Sequence, residues 1–401
     1  MNAHDALRHA IDASSRVPIS SPRLAEAHVP VGDSEGILED PPVDHPLKVL
    51  LVAADVNTIG GIQQYNRNVK AGIEESGAEV RLIELKGLSY ASKTDFVLRI
   101  LGHALFWRPD VIWCAHINFS PVMFLLKRVL TRPYLVALYG IDVLDINGRL
   151  HARALRAADL LTPIAHHTAA NLLAQIPEVR DRLFLIPNSV DGARFGIREK
   201  PQRLTERHGL EGAKIILTVA RLNPAEHKGY DRVIDALPLV IDKVPEAKYL
   251  LVGGGDDPRV RQAIERHGLH DRVVLAGAAS AEDLVDYYNL CDVYAMPSKF
   301  EGFAIVFLEA LACGRPVVAS DGYGCKEALL NGDLGITVDP DSRSEIAAAL
   351  VRLLNDPPAH LANRASLRQR TLASYDLSAF KKRVGEAVRL AAGAKTARDN
   401  P

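Results

Sequence analysis

The stretch LKVLLVAADVNTIGGIQQYNRNVKAGIEESG, residues 47–77, decides the fold class. LKVLLVAADV (47–56) is a near-continuous apolar run, the pattern of a strand buried on both faces of a parallel sheet. A glycine loop and an amphipathic helical pattern follow it. EVRLIELKG is the next strand, and DVIWCAHINF (110–119) and YLVALYGIDV (134–143) are two more, with helical segments between them. DLLTPIAHHTAANLLAQI and RLFLIPNSVD continue the alternation. Strands separated by helices predict a doubly wound α/β sheet.

From about Asp191 to Thr205 the apolar period lapses and charged and turn residues rise, which marks a linker. A second α/β series then begins, with strands at KIILTVARL (214–222), KYLLVGGGDD (248–257), RVVLAGAAS, DVYAMPS and RPVVAS, each followed by a helical pattern. AFKKRVGEAVRLAAG (379–393) predicts a terminal helix. Two Rossmann-like halves facing a cleft are therefore expected, at 47–195 and 196–375, with a helix over 376–395 closing the chain. Residues 1–46 are rich in Ser, Pro, Ala and acids and predict a loosely ordered arm, with a short helix near Asp5 to Ala13.

A chain of 401 residues is too long for one core, which agrees with two domains. A net charge of −1 argues against a general nucleic-acid binder. The four cysteines, Cys114, Cys291, Cys313 and Cys325, show no CxxC and read as reduced thiols. No apolar run reaches the length of a membrane span, and the N-terminus lacks the apolar core of a signal peptide; the expectation is a cytoplasmic protein.

Two carboxylates, Glu301 and Glu309, stand eight positions apart in EGFAIVFLEALACGRPVVAS (301–320). In one helix they would lie about 12 Å apart along the axis and on different faces. The spacing makes sense if Glu301 precedes a helix and Glu309 lies about a turn and a half inside it. Both then approach one ligand across the helix N-terminus, where free N–H groups attract phosphate. The plain alternative is two solvated glutamates flanking a core helix; it weakens because Glu309 sits in an apolar stretch. Upstream, VARLNPAEHKGYDRVIDAL (219–237) sets Arg221 at a strand end and Lys228 before a helix. Ligands of open α/β sheets bind beyond the carboxyl ends of strands, so this position is favourable for a ligand, although surface lysines and arginines are usually only solvated.

These segments resemble the Glu-x7-Glu signature and the diphosphate-binding RL…KG pattern of the GT4 family of retaining glycosyltransferases, which have the GT-B fold. The resemblance runs from about 47 to 390, closely in the second half and loosely in the first. It implies an acceptor domain at 47–195, a nucleotide-sugar donor domain at 196–375, and a terminal helix that crosses back onto the first. Arg221 and Lys228 would contact the two phosphates, Glu309 the ribose hydroxyls and Glu301 the transferred sugar. The backbone of Gly302, Phe303 and Ala304 would lie against sugar and phosphate. Most relatives have glycine at Ala304, and a methyl there crowds the sugar or disfavours a positive φ. Gly60 and Gly61 would form the loop near the donor phosphates and the acceptor, or simply a tight turn. Gly253 and Gly254, in LVGGGDD, either let the base approach the backbone or only turn the chain. Relatives often have histidine where this chain has Tyr139; the sugar contact would come from Tyr139 or from His116. Asp142 would orient an acceptor hydroxyl or cap a helix. Pro187–Asp191 resembles the family's segment before the hinge. His166 and His167 point apart on a helix with no carboxylate at ligand spacing, so no metal site is expected there.

The implied reaction moves a hexose from a nucleoside diphosphate sugar, of GDP-mannose or UDP-glucose type, to a saccharide or lipid-linked acceptor, as in bacterial surface-polysaccharide assembly. It retains configuration by front-face substitution and uses neither a bound cofactor nor a metal. The segment from Lys86 to Arg132 adds a membrane reading. Seven Lys or Arg against two acids leave a local balance of +5, interleaved with Phe96, Leu98, Leu105, Phe106, Leu125 and other apolar residues. Such helices suit an anionic membrane face, or else pack on the sheet with their charges solvated. Two other functions compete with transfer: a catalytically silent glycan-binding or scaffold protein of the same fold, which Ala304 and Tyr139 favour, and a sugar-nucleotide epimerase, for which added acid–base groups are not identifiable. A dehydrogenase reading loses ground because TIGGIQQYN is not GxGxxG.

Overall fold

The structure is a computed structural model that describes residues 45–56, 60–87, 89–146, 148–225 and 227–399. The arm read at 1–46, its helix near Asp5 to Ala13 included, lies outside the described residues but for its last two.

The first half runs β1 (Lys48–Ala54), α1 (Gly61–Glu75), β2 (Glu79–Leu85), α2 (Tyr90–Gly102), β3 (Val111–Cys114), α3 (Ser120–Leu130), β4 (Tyr134–Leu138), α4 (Arg149–Ala157), β5 (Leu160–Pro163) and α5 (His166–Gln175). After α6 (Gln202–His208) come β6 (Lys214–Val219), α7 (Tyr230–Ile241), β7 (Ala247–Val252), α8 (Pro258–His267), β8 (Val273–Gly277), α9 (Ala281–Leu290), β9 (Val293–Met296), α10 (Ile305–Ala312), β10 (Val317–Ser320), α11 (Tyr323–Ala328) and β11 (Gly335–Val338). The chain ends in α12 (Arg343–Asn355), α13 (Ala359–Ala362), α14 (Arg364–Tyr375) and α15 (Leu377–Asp399).

Both sheets are parallel. The first has the order β2-β1-β3-β4-β5 and the second β11-β10-β9-β6-β7-β8. β1 is flanked by β2 and β3, and β6 by β7 and β9. Each sheet thus reverses its winding once, between β1 and β3 and between β6 and β9. Loops leaving the strands at such a reversal diverge and open a crevice at the carboxyl ends. The apolar runs that predicted parallel strands are buried as expected: Val49 to Ala53 are all 0 % exposed. This is the GT-B arrangement of two α/β domains.

RLFLIPNSVD, read as part of the strand series, pairs only at isolated bridges, Leu161 with Leu183 and Val190 with Asp376. β11 and the helices α12 to α14 have no counterpart among the strands read from the sequence. The expected linker ends early, since Gln202 to Thr205 already belong to α6.

The terminal helix returns to the first domain. Gly72 of α1 and Gly385 of α15 let the two helices approach closely. A Cβ on Gly72 would lie 3.0 Å from Val384 Cβ, and one on Gly385 would lie 2.8 Å from Ser76 Cβ. Lys381 Nζ donates to Glu75 at 2.8 Å beside this contact. Phe380 meets Tyr65 edge to face at 5.1 Å. The four cysteines are buried and unpaired with one another.

Candidate active site

Lys228 owes its place to its neighbour. Gly229 has φ 80 and opens α7, and a Cβ there would lie 2.2 Å from the Pro297 carbonyl oxygen. Only glycine fits, because both the left-handed backbone and the space demand it. Lys299 N donates to the His227 carbonyl at 2.9 Å, tying the loop after β9 to the loop after β6. Lys228 and Glu301 therefore face each other. Lys228 Nζ donates to Glu301 Oε2 at 3.0 Å, with the side chains 25 % and 15 % exposed.

Arg221 leaves the end of β6 on a bed of glycines. Leu222 N donates to the Gly254 carbonyl at 2.9 Å. A Cβ on Gly253 would sit 1.7 Å from the Ala220 carbonyl oxygen, and one on Gly255 2.3 Å from that of Leu222. The run LVGGGDD thus lets the backbone of the Arg221 loop approach, a close packing that neither reading of Gly253 and Gly254 anticipated. Across the cleft, a Cβ on Gly60 would lie 3.9 Å from Arg221 Nη2, and one on Gly61 4.0 Å from Ile305 Cδ1. The first-domain glycine turn therefore faces the Arg221 guanidinium and the start of α10.

Glu301 precedes α10 and Glu309 lies inside it, as the spacing required. The N-cap of α10 is Ala304, which gives no side-chain hydrogen bond and leaves that helix end without a side-chain cap. Its φ of −76 is ordinary for any residue, so the methyl carries no backbone strain. Glu309 Oε2 accepts from the Tyr288 hydroxyl at 2.6 Å, and burial raises its carboxyl above the usual range. Phe303 is buried but still lines the cleft: its ring meets Tyr375 edge to face, and its carbonyl accepts from Asn188 Nδ2 at 2.8 Å. Gly302 lies close against the first domain. A Cβ there would fall 1.9 Å from the Tyr139 carbonyl oxygen.

On the first-domain side, His116, Tyr139 and Asp142 stand at the ends of β3 and β4. His116 Nδ1 accepts from Asn118 N at 3.1 Å, which leaves the ring proton on Nε2. Burial, with a smaller push from His151, lowers His116 to about 4, so it is neutral at physiological pH. The Tyr139 hydroxyl donates to Asn66 Oδ1 at 2.8 Å and is turned from the cleft into the α1 contact, while its ring still lines the cleft. Asp142 Oδ1 accepts from Tyr139 N at 2.8 Å; Oδ2 is buried without a partner, and burial raises the group to about 7. Asp142 thus ties down the Tyr139–Gly140 turn, which is not the helix N-cap expected of it: the N-cap of the short turn of helix that holds it is Gly140. A cleft of about 560 Å³ separates His116, Tyr139 and Asp142 from Lys228, Glu301 and Gly302, all of which line it together with Gly61. That volume suits a small-molecule substrate. Arg221, Glu309, Gly253 and Gly254 stand outside this lining. Sequence reasoning missed the Asn188–Phe303 bond across the domains, the Tyr288 partner of Glu309, and Asn118 and His151 on the cleft wall.

Two α/β domains that face one cleft make this a GT-B fold. Residues 202–371 match the family described as glycosyl transferases group 1. The match lies in the domain that holds Arg221, Lys228, Glu301 and Glu309. A GDP-mannose-dependent alpha-(1-6)-phosphatidylinositol monomannoside mannosyltransferase of Mycolicibacterium smegmatis is 34% identical over 210 residues, 50% of this chain and 54% of the relative. Alpha-D-kanosaminyltransferase of Streptomyces kanamyceticus is 33% identical over 177 residues, 44% of this chain and 45% of the relative. The chain spans about half the length of these curated relatives. Among solved structures, Anabaena HepE in complex with UDP and glucose superposes with TM-score 0.69 at 21% identity, covering 85% of this chain and 98% of that one. Sucrose-phosphate synthase from Thermosynechococcus elongatus gives TM-score 0.73 at 21% identity, covering 85% and 98%.

Proposed function

We propose that the protein transfers a hexose from a nucleoside diphosphate sugar to a hydroxyl of a saccharide or lipid-linked acceptor, with retention of configuration. The carrying observation is the Lys228–Glu301 pair on the cleft wall, just before the helix end of α10 that has no side-chain cap, with Arg221 of the same domain facing the first-domain glycine turn. Negative charge grows on the leaving diphosphate as its bond to the sugar breaks. Arg221, Lys228 and the free N–H groups of α10 meet that charge without a metal ion. In front-face substitution a phosphate oxygen takes the acceptor proton, so no protein nucleophile is needed. Glu309 holds the ribose, and closure of the two domains keeps water from the donor. The name of the Mycolicibacterium smegmatis relative favours a guanosine diphosphate donor over the uridine type.

A thermal-shift panel of GDP, UDP, ADP and dTDP tests this reading. GDP is expected to raise the melting temperature most, since saturation at 100 times Kd adds about 2.7 kcal/mol to the folded state. A flat response to all four nucleotides would remove the donor site.

The acceptor side carries the membrane part of the proposal. Phe96, Ile100, Met123 and Leu126 pack inward on the first sheet. Tyr90 (91 %), Leu98 (61 %), Phe106 (89 %), Leu125 (56 %) and Val129 (78 %) are exposed on α2, α3 and the turn after α2. Cations of the same segment, among them Lys93, Arg99, Arg108 and Arg128, lie among them in sequence. Among the described residues no helix is long and apolar enough to cross a membrane. We read this face as a peripheral contact with anionic lipid. Pelleting with phosphatidylglycerol vesicles at low salt is expected for the wild type and is expected to fall at least tenfold for Phe106→Ser/Val129→Ser. Equal pelleting of both would exclude the assignment.

A further inference from the structure

The first N–H groups of a helix need acceptors, and a side chain at the N-cap usually supplies one. α5 begins after Ala165, which cannot. Its N–H groups are nonetheless met. Glu327, on α11 of the other domain, accepts from His166 N with Oε1 at 2.8 Å and from His167 N with Oε2 at 3.3 Å. A carboxylate thus sits at the positive end of the α5 dipole, where negative charge is favoured.

Both ends of this bond lead into the cleft. On the first-domain side, Ile164 stands just before α5 and lines the cleft. Thr168, in the first turn of α5, abuts the Tyr139–Gly140 turn: a Cβ on Gly140 would lie 3.3 Å from its Oγ1. On the second-domain side, α11 leans on the Glu301–Gly302 loop. Gly324 N donates to the Glu301 carbonyl at 3.1 Å, and a Cβ on Gly324 would lie 1.7 Å from the Gly302 carbonyl oxygen. The Tyr375 hydroxyl donates to the Glu327 carbonyl at 2.9 Å and fixes the far end of α11.

We propose that Glu327 is a positioning residue that holds the two domains together by capping a helix of the first from the second, and so keeps the Glu301–Gly302 loop against the Tyr139–Gly140 turn. Opening the cleft strips α5 of its cap, so the helix end and domain closure rise and fall together. The claim stands on the interdomain bond and does not depend on which donor the site takes.

The test is a distance measurement by double electron–electron resonance on the full chain. Nitroxides go on Arg180→Cys and Glu282→Cys, one exposed position in each domain; the four native cysteines are buried and do not compete for label. The wild type is expected to give one narrow distance distribution. Loss of an N-cap contact shifts an equilibrium by roughly 2- to 30-fold, so Glu327→Ala is expected to raise the share of displaced distances at least threefold. Glu327→Gln, which keeps one accepting oxygen, should fall between the two. Adding Ala165→Ser to Glu327→Ala gives α5 a cap of its own without a bond between domains, and the broad distribution is expected to persist. An unchanged distribution in Glu327→Ala, or a return to wild type in the double variant, overturns the proposal and leaves Glu327 as a helix cap alone. Should Glu327→Ala fail to fold, Glu327→Gln and the double variant decide by the same criterion.

Discussion

Lys228→Ala is expected to lower the rate of hexose transfer by about 10²–10³, the usual loss when one fixed donor aimed at developing charge is removed. Lys228 is three-quarters buried and its ammonium is 3.0 Å from Glu301. It is therefore held in place before the donor arrives, so little reorganisation opposes its contact with the leaving phosphate. Removing it does two things. It takes away a cation, and it leaves the Glu301 carboxylate, 15 % exposed, beside an anionic donor. The double variant Lys228→Ala/Glu301→Ala separates these. If Lys228 served only to neutralise Glu301, the double variant would recover most of the rate. The expected result is that it stays at least as slow as the single variant, because the phosphate has lost its partner in both. Single-turnover kinetics on the two proteins check this, and a wild-type rate in either would remove Lys228 from the site.

Gly302→Ala is expected to be nearly as damaging, by a different route. The added Cβ would lie 1.9 Å from the Tyr139 carbonyl oxygen and 3.0 Å from its carbon. Both are backbone atoms of the opposite domain, so no side chain can move aside. The cleft must widen, and a misplacement of about 1 Å between reacting groups costs on the order of 100-fold in rate. Overpacking of this kind also costs roughly 1–3 kcal/mol of stability. Gly322→Ala is the control: no atom lies within 4 Å of a Cβ there, and its φ is −99. Steady-state rates and calorimetry on the two variants are expected to show a loss of about 100-fold with a lowered melting temperature for Gly302→Ala, and little change for Gly322→Ala. Comparable behaviour of the two would mean that the close approach of the domains at Gly302 does not matter.

The fold was legible because its signals are local. The buried runs at Val49 to Ala53 and Ile215 to Leu217 can only be strands of a covered parallel sheet, and the helical patterns between them leave no other topology class. The placement of Glu301 before a helix and of Glu309 within it is the arrangement under which their spacing made sense. β11 escaped because its four residues, GITV, are too short to show a period. RLFLIPNSVD misled because an apolar run beside a sheet need not pair with it. What stayed hidden is nearly all contact between distant segments. The Tyr139 hydroxyl goes to Asn66, 73 positions away, and Glu327 goes to His166, 161 positions away. Neither pairing leaves a periodic trace. One weak signal existed: Ala165 at a helix start implied an acceptor from elsewhere. Ala304 shows the converse. Its departure from glycine suggested crowding of the sugar or a disfavoured positive φ, and its ordinary φ of −76 removes the second.

Isothermal titration of GDP and UDP into the wild type and into Arg221→Ala/Lys228→Ala tests most directly whether the two cations converge on one pyrophosphate. Binding of at least one nucleotide to the wild type is expected, weakened about 100-fold or more in the double variant while the corresponding nucleosides bind both proteins alike. Equal affinity of wild type and double variant for the diphosphates, or no binding to the wild type, would contradict it.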